Sequence, residues 1–276
     1  MTQRFAFILF FFPILPAVYG QSATFLTYNI RYDTPNDSAD AWPERREFLA
    51  GQLRFYKPDV FGIQEGLHRQ VEYLQQELPD YKHVGVGRDD GREAGEYSAL
   101  FYRADRFRAL QSGTFWLSET PDKVSKGWDA ALPRICTWAL LEDSASGSRM
   151  WVFNTHFDHI GKAARKASAA LILQKISEKN TTGDPVVLMG DFNAEPEEEP
   201  IAVLQTTLNE ARDASREPPF GPEGTFNGFK FREPVNRRID YIFVSPGQHV
   251  LQYAVLSDSR NCHYPSDHLP VLVRVE

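Results

Sequence analysis

The chain has 276 residues, 42% of them hydrophobic and 24% charged, and a formal net charge of -7. That length can bury a large core, which excludes a disordered chain, and the acidic balance excludes a general electrostatic attraction to nucleic acid. With only Cys136 and Cys262 present, a disulfide-dense scaffold is also excluded; Cys136 reads as a small hydrophobe in a strand and Cys262 as a loop thiol, with a disulfide between them the alternative open to an exported chain.

Arg4 precedes FAFILFFFPILPAVYG, a short apolar block that ends in small residues, so residues 1–20 are expected to be a signal peptide and 21–276 a single domain. Secretion or a periplasmic location follows, and Pro13 and Pro16 disfavour a membrane span. In ATFLTYNIRYD, Phe25, Thr27, Asn29 and Arg31 alternate with Leu26, Tyr28 and Ile30; a strand is predicted, with Asn29 and Arg31 on one face. Pro43 opens a helix with Leu49, Leu53 and Tyr56 at helical spacing, ended by Lys57-Pro58-Asp59. VFGIQ is a buried strand that delivers Glu65, and Val71, Leu74 and Leu78 mark a second helix.

The next stretch reads as strand, Gly-rich loop and strand, with Glu96 just ahead of Ala99-Leu100-Phe101. GTFWLSETPDKVSKGWDAALPR is expected to be a long irregular loop closed by Arg134. ICTWALLED and RMWVFNTHFDH form a hairpin around residues 144–147, and Asn154 shares a face with His156. A helix from about Lys162 to Lys179 precedes DPVVLMGDFN, a doubly buried strand whose Asp191 and Asn193 face one way if the backbone stays extended. Glu197, Glu198 and Glu199 are expected in the first turn of a helix carrying Ile201, Leu204 and Leu208, because the positive end of the helix dipole favours acid there. After a second long loop, IDYIFVS begins with Asp240, and Val271, Val273 and Val275 share a face of the last strand. Strands alternate with helices, so the class is α/β.

Polar residues gather at the strand ends: Asn29, Glu65, His156, Asp191, Asn193, Asp240, Asp267 and His268. Oxygen donors with few thiolates select a hard cation such as Mg²⁺. The spacing of His156 and His159 suits zinc, but no third ligand accompanies them.

TYNIR, IQE, NTHFDH, GDFN, RIDYIF and SDHLP, in this order, resemble the endonuclease/exonuclease/phosphatase superfamily, from Phe25 to the end of the chain. The resemblance implies a four-layered α/β/β/α sandwich, two mixed sheets packed face to face and flanked by helices, with the site at one end. It implies Glu65 as principal metal ligand, with Asn29 and Asp267 near the same Mg²⁺, or Mn²⁺ in its place. Asp191 would orient or deprotonate the attacking water, with Asn193 holding it or a phosphate oxygen. Asp240 would pair with His268, Glu96 with His156, and Arg31 and Arg134 would contact phosphate. The implied reaction is in-line attack of water on a small, lipid-linked or nucleic-acid phosphoester by an exported phosphodiesterase or phosphatase. The alternative is a metal-dependent nuclease, similar to deoxyribonuclease I or to the deadenylase and nocturnin 3'-5' exonucleases. Basic residues are dispersed among acids, so no stable nucleic-acid complex is expected, and the mature chain is expected to be a monomer without a transmembrane segment.

Overall fold

The computed structural model describes residues 22–276, so the expected signal peptide lies outside the described residues. The chain runs β1 (Ala23–Asn29), a 3-10 turn (Pro35–Asp40), α1 (Trp42–Tyr56), β2 (Val60–Gln64), α2 (His68–Glu77), β3 (Tyr81–Val84) and β4 (Leu100–Arg103). It continues with β5 (Phe107–Trp116), β6 (Ile135–Asp143), β7 (Arg149–His156), α3 (Lys162–Lys179), β8 (Val186–Asp191) and α4 (Glu199–Gln205). It closes with β9 (Asn209–Glu210), β10 (Asp240–Val244), β11 (Val250–Val255) and β12 (Val271–Val275).

Two six-stranded sheets result, ordered β11-β12-β1-β2-β4-β3 and β5-β6-β7-β8-β10-β9. Both are mixed: β1 and β2 are parallel in the first, β7 and β8 in the second, and their other neighbours are antiparallel. Phe25, Val60 and Val273 of the first sheet pack against Val152, Met189 and Ile242 of the second in one apolar layer. Leu49, Leu53 and Leu74 of α1 and α2 cover the outer face of the first sheet, and Ile172, Ile176 and Ile201 of α3 and α4 cover that of the second. The order helix, sheet, sheet, helix is the expected four-layered sandwich. Among the described residues, no helix is long and apolar enough to cross a membrane.

Several local expectations need correction. β5 takes in GTFW, which was expected to belong to the following loop, and β11 has no counterpart in the predicted elements. Both are edge strands, and each slips register against its neighbour, between Ala109 and Gln111 and between Val250 and Gln252. A half-exposed strand with a bulge loses the period-two pattern by which strands are recognised. α4 begins at Glu199, so Glu198 caps it and Glu197 precedes it, and Leu208 lies beyond its end. Glu198 instead meets Arg165 of α3 at 3.2 Å. Arg31 does not extend β1: the strand stops at Asn29 and Arg31 turns to φ 54°. Cys136 is buried, Cys262 is exposed, and both are free thiols.

Asn154 of β7 ties the two sheets together inside the core. Its Nδ2 donates to the carbonyls of Ile63 and Ala99 at 2.9 Å each, and its Oδ1 accepts from Gln64 at 2.7 Å. This crossing is allowed only because β2 carries a glycine opposite it: a Cβ on Gly62 would lie 2.5 Å from Asn154 Cγ. Gly62→Ala should therefore lower stability by about 2 kcal/mol through overpacking, read as a lower urea midpoint at unchanged slope. Adding Asn154→Ala should recover part of that loss. Losses that simply add would show that the two positions do not compete for one space.

Candidate active site

Strand register builds the floor of the site. In the second sheet, His156 at the end of β7 stands beside Asp191 at the end of β8, and Asp240 at the start of β10 stands on the other side of Asp191. In the first sheet, Asn29 ends β1 beside Gln64, and Glu65 follows at φ 63°. The carboxyl ends of parallel strands thus open onto one cavity, a recurrent position for ligands in open α/β sheets. The loop before β12 adds Asp267 and His268, held by bridges of Phe226 to His268 and to Arg237. The cavity measures 430 Å³, and Glu65, His156, Asp191, Asn193, Asp267 and His268 all line it.

Asp191 sits between two imidazoles. Its Oδ2 is 3.4 Å from His156 Nε2 and 3.8 Å from His268 Nε2, and it accepts from Asn29 Nδ2 at 2.9 Å. Burial, and then the neighbouring Asp240 carboxylate, push the Asp191 carboxyl above the ordinary carboxylate range. A carboxylate shifted this way is a better proton acceptor at neutral pH. Asn193 departs from the extended geometry expected of it: its φ is 46°, and its N–H turns back to donate to Asp191 Oδ1 at 2.9 Å. Its side chain reaches the cavity all the same.

The two histidines are driven to opposite protonation states. Burial alone would disfavour a charge on His268, but Asp240, Asp191 and Asp267 more than offset it, and its pKa rises to about 10. Its Nδ1 donates to Asp240 Oδ2 at 2.8 Å, and Thr225 Oγ1 donates to the same oxygen at 2.5 Å. His156 is held well below its usual range by burial and by the charges of Arg134, Arg88, His268 and His159. Its Nδ1 is 3.1 Å from Arg134 Nη1, and its Nε2 is 3.1 Å from Asn193 Nδ2 and 3.4 Å from Asp191 Oδ2.

Glu96, the expected partner of His156, is 3.9 Å away; it instead pairs with Arg88 at 2.6 Å. Arg31 lines the cavity but is gripped by Asp37 at 2.9 and 3.0 Å, and it also lies 3.9 Å from both Glu65 and Asp267. Arg134 lines it too, with three of its donors engaged by Asp158, His156 and His159. That guanidinium sits between the two histidines whose spacing suggested zinc. Arg88, Thr225, Tyr32 and Leu132 were not anticipated, because isolated residues in irregular loops carry no periodic or motif signal.

Glu65 and Asp267 offer carboxylate oxygens, while Asn29, the third expected ligand, turns its amide nitrogen to Glu65 and its oxygen to the Arg31 N–H. Burial raises the Asp267 carboxyl, and although the His268 charge pulls it back, the facing Glu65 carboxylate adds to the rise. Two facing carboxylates, with Arg31 3.9 Å from each, offer hard oxygen donors of the kind a divalent cation takes. Asp191, Asp240 and His268 offer a second group with ligand atoms within 4.8 Å of one another, and Asp240 Oδ1 is buried without a hydrogen-bond partner. The His268 proton must leave before that ring can serve as a ligand.

The model of the endonuclease/exonuclease/phosphatase family matches residues 26–268. An endonuclease/exonuclease/phosphatase family protein from Bacteroides thetaiotaomicron is 40% identical at a TM-score of 0.89, covering 92% of this chain and 97% of that one. A mannosyl-6-phosphatase from the same organism is 40% identical at a TM-score of 0.88, covering 92% of this chain and 99% of that one. Nocturnin from Mus musculus is 26% identical over 268 residues, 84% of this chain and 58% of that protein. The chain spans less than two thirds of the length of the curated relatives it matches.

The Asp240 carboxylate should control the charge of His268. With Asp240 present the ring stays protonated until pH rises through about 10. Removing that negative charge favours the neutral ring, so the proton should be lost at lower pH in Asp240→Asn. The alkaline limb of the activity profile should move down with it, and turnover at neutral pH should fall by about tenfold to a hundredfold. Following the His268 ring by NMR against pH checks this: a ring that titrates in the variant as in the parent would refute the assignment.

Proposed function

The chain belongs to the endonuclease/exonuclease/phosphatase family, whose members are metal-dependent phosphoester hydrolases, and from that premise we propose that it is an exported, Mg²⁺-dependent phosphomonoesterase acting on sugar phosphates. The observation that carries the substrate class is the cavity itself. At 430 Å³ it is of the size that takes one small molecule. Each arginine that lines it is paired with a carboxylate: Arg31 with Asp37, Arg134 with Asp158 and Arg237 with Glu195. A nucleic-acid track needs cations left over for successive phosphates. The mannosyl-6-phosphatase, similar over nearly the whole chain, supports a sugar phosphate.

In the proposed reaction the phosphoryl group lies over Asp191, with Asn193 and the His268 cation against its oxygens. A water attacks phosphorus in line with the leaving oxygen, Asp191 accepts the water proton, and the P–O bond to the alcohol breaks. His268 is the protonated group at hand for the departing alkoxide. Asn29 Nδ2 and the Asn193 N–H donate to Asp191 and fix its orientation, and the neutral His156 packs beside it. Glu65 and Asp267 would hold the Mg²⁺, with Asn29 positioning Glu65 through its amide N–H, and the ion would supply positive charge to offset the negative charge developing on the phosphoryl oxygens.

Asp191→Ala and His268→Ala should each lower turnover by about a hundredfold or more with the circular dichroism spectrum unchanged. EDTA should abolish activity and Mg²⁺ should restore it. A panel of hexose 6-phosphates, p-nitrophenyl phosphate, sphingomyelin and oligoribonucleotides decides the class; efficient cleavage of the oligoribonucleotide alone would overturn the proposal. Export rests on the apolar block at residues 5–20. Protein recovered outside the cytoplasm should begin at Gln21, and an N-terminus still carrying that block would contradict export with cleavage.

A further inference from the structure

One guanidinium meets two imidazoles. Arg134 Nη1 lies 3.1 Å from His156 Nδ1, Nη2 lies 2.9 Å from His159 Nδ1, and Nε donates to Asp158 Oδ2 at 3.3 Å. A guanidinium only donates, so the Nδ1 of His159 accepts and its ring proton is carried on Nε2. Arg134 is 4% exposed and cannot swing away. Asp158, which orients it, is itself fixed by the backbone amides of Ala131, Leu132, Ile160 and Gly161 at 2.8 to 3.3 Å.

The two Nε2 atoms have different surroundings. That of His156 is buried, 3.1 Å from Asn193 Nδ2 and 3.4 Å from Asp191 Oδ2. That of His159 is on the ring edge away from Arg134, in a side chain 49% exposed that lines the same cavity. Leu132, 38% exposed, lines the cavity as well. With the phosphoryl group on the floor, the alcohol portion of a substrate extends toward the outer lining, which His159 and Leu132 share with Tyr32, Phe226 and Arg237.

We propose that His159 is a specificity-determining residue whose Nε2–H donates to a hydroxyl or ring oxygen of the substrate's alcohol portion, selecting hydroxyl-bearing, sugar-like phosphomonoesters over others. The inference rests on the phosphomonoesterase reading above and adds the residue that chooses among its substrates. Fixing the tautomer in advance removes the cost of choosing it on binding, so the donor is ready when the substrate arrives. Leu132 gives the carbon face of a sugar an apolar neighbour. The arrangement also accounts for a feature the chemistry leaves unused, since His159 touches none of the reacting groups.

The test compares kcat/KM for a hexose 6-phosphate with kcat/KM for p-nitrophenyl phosphate, whose leaving group carries no free hydroxyl, in the full-length enzyme with Mg²⁺. In His159→Ala the ratio of the first to the second should fall by about tenfold, the value of one hydrogen bond to substrate. His159→Gln, which keeps an N–H donor on a side chain of similar reach, should retain more of the ratio. An unmoved ratio in His159→Ala, with both substrates hydrolysed by the parent enzyme, overturns the role of His159 alone. A parent enzyme that leaves hexose 6-phosphates intact overturns the phosphomonoesterase reading and this inference with it.

Discussion

One carboxamide holds the floor of the cavity together. Asn29 Nδ2 donates to Glu65 Oε1 at 3.1 Å and to Asp191 Oδ2 at 2.9 Å, joining an acid beside β2 in the first sheet to an acid on β8 in the second. Its Oδ1 accepts the Arg31 N–H at 3.0 Å, so the amide cannot turn over without placing oxygen against two carboxylates. The backbone carbonyl of the same residue accepts Ser266 Oγ at 2.7 Å, which brings in the loop that carries Asp267 and His268. Because the link is neutral, it orders the acids without cancelling their charge, and the demand for a cation remains.

That demand explains the opposite behaviour of the two histidines. His268 stands among Asp191, Asp240 and Asp267, and its charge is worth more there than its burial costs. His156 is equally buried but faces the Arg134 and Arg88 guanidinium groups, so a proton on its Nδ1 has no place. Glu96 could have altered the balance in favour of a charged His156. Arg88 takes it instead, at 2.6 Å against 3.9 Å to His156, and a permanent guanidinium charge with matched geometry outcompetes an imidazole that must first gain a proton. Titratable groups pushed apart in this way mark the acid and base roles of a site.

Much of this was legible from the chain. Val186 to Met189 and Ile242 to Val244 are uninterrupted apolar runs, and such runs announce buried central strands and put Asp191 and Asp240 at their ends. The helix from Lys162 to Lys179 also came out at its bounds, because its small and apolar residues keep one period throughout. β5 and β11 did not, since an exposed edge strand with a bulge keeps only one apolar face and breaks even that. Within the site, Asp191, Asp240, His268 and Glu65 were visible because each ends or adjoins a strand. The Asp240–His268 pair was legible too, but the surroundings of His156 were not: that Arg134 would lie 3.1 Å from it and Glu96 3.9 Å depends on Arg88, 46 residues earlier in the chain than Arg134 by their numbers and carried on a Gly-rich loop. Long-range choices among several charged partners have no local signature.

The cavity is therefore built by two mechanisms. Its floor rests on strand ends cross-linked between sheets by Asn29 and, deeper in the core, by Asn154. Its rim hangs on one carboxylate: burial would raise Asp158, but the amides of Gly161, Ala131 and Ile160 and the Arg134 charge hold it well below the usual carboxylate range. Four amides from two separate segments, residues 131–132 and 160–161, converge on that side chain, so the loop before β6 and the turn before α3 move as one. The same Asp158 sets Arg134, and through it the Nδ1 contacts of His156 and His159. In the proposed reaction, what the rim contacts could then change at His159 or Leu132 while Asp158 and Arg134 continue to hold the His156 imidazole. That separation would put the choice of alcohol in loop residues rather than in the groups proposed to break the bond.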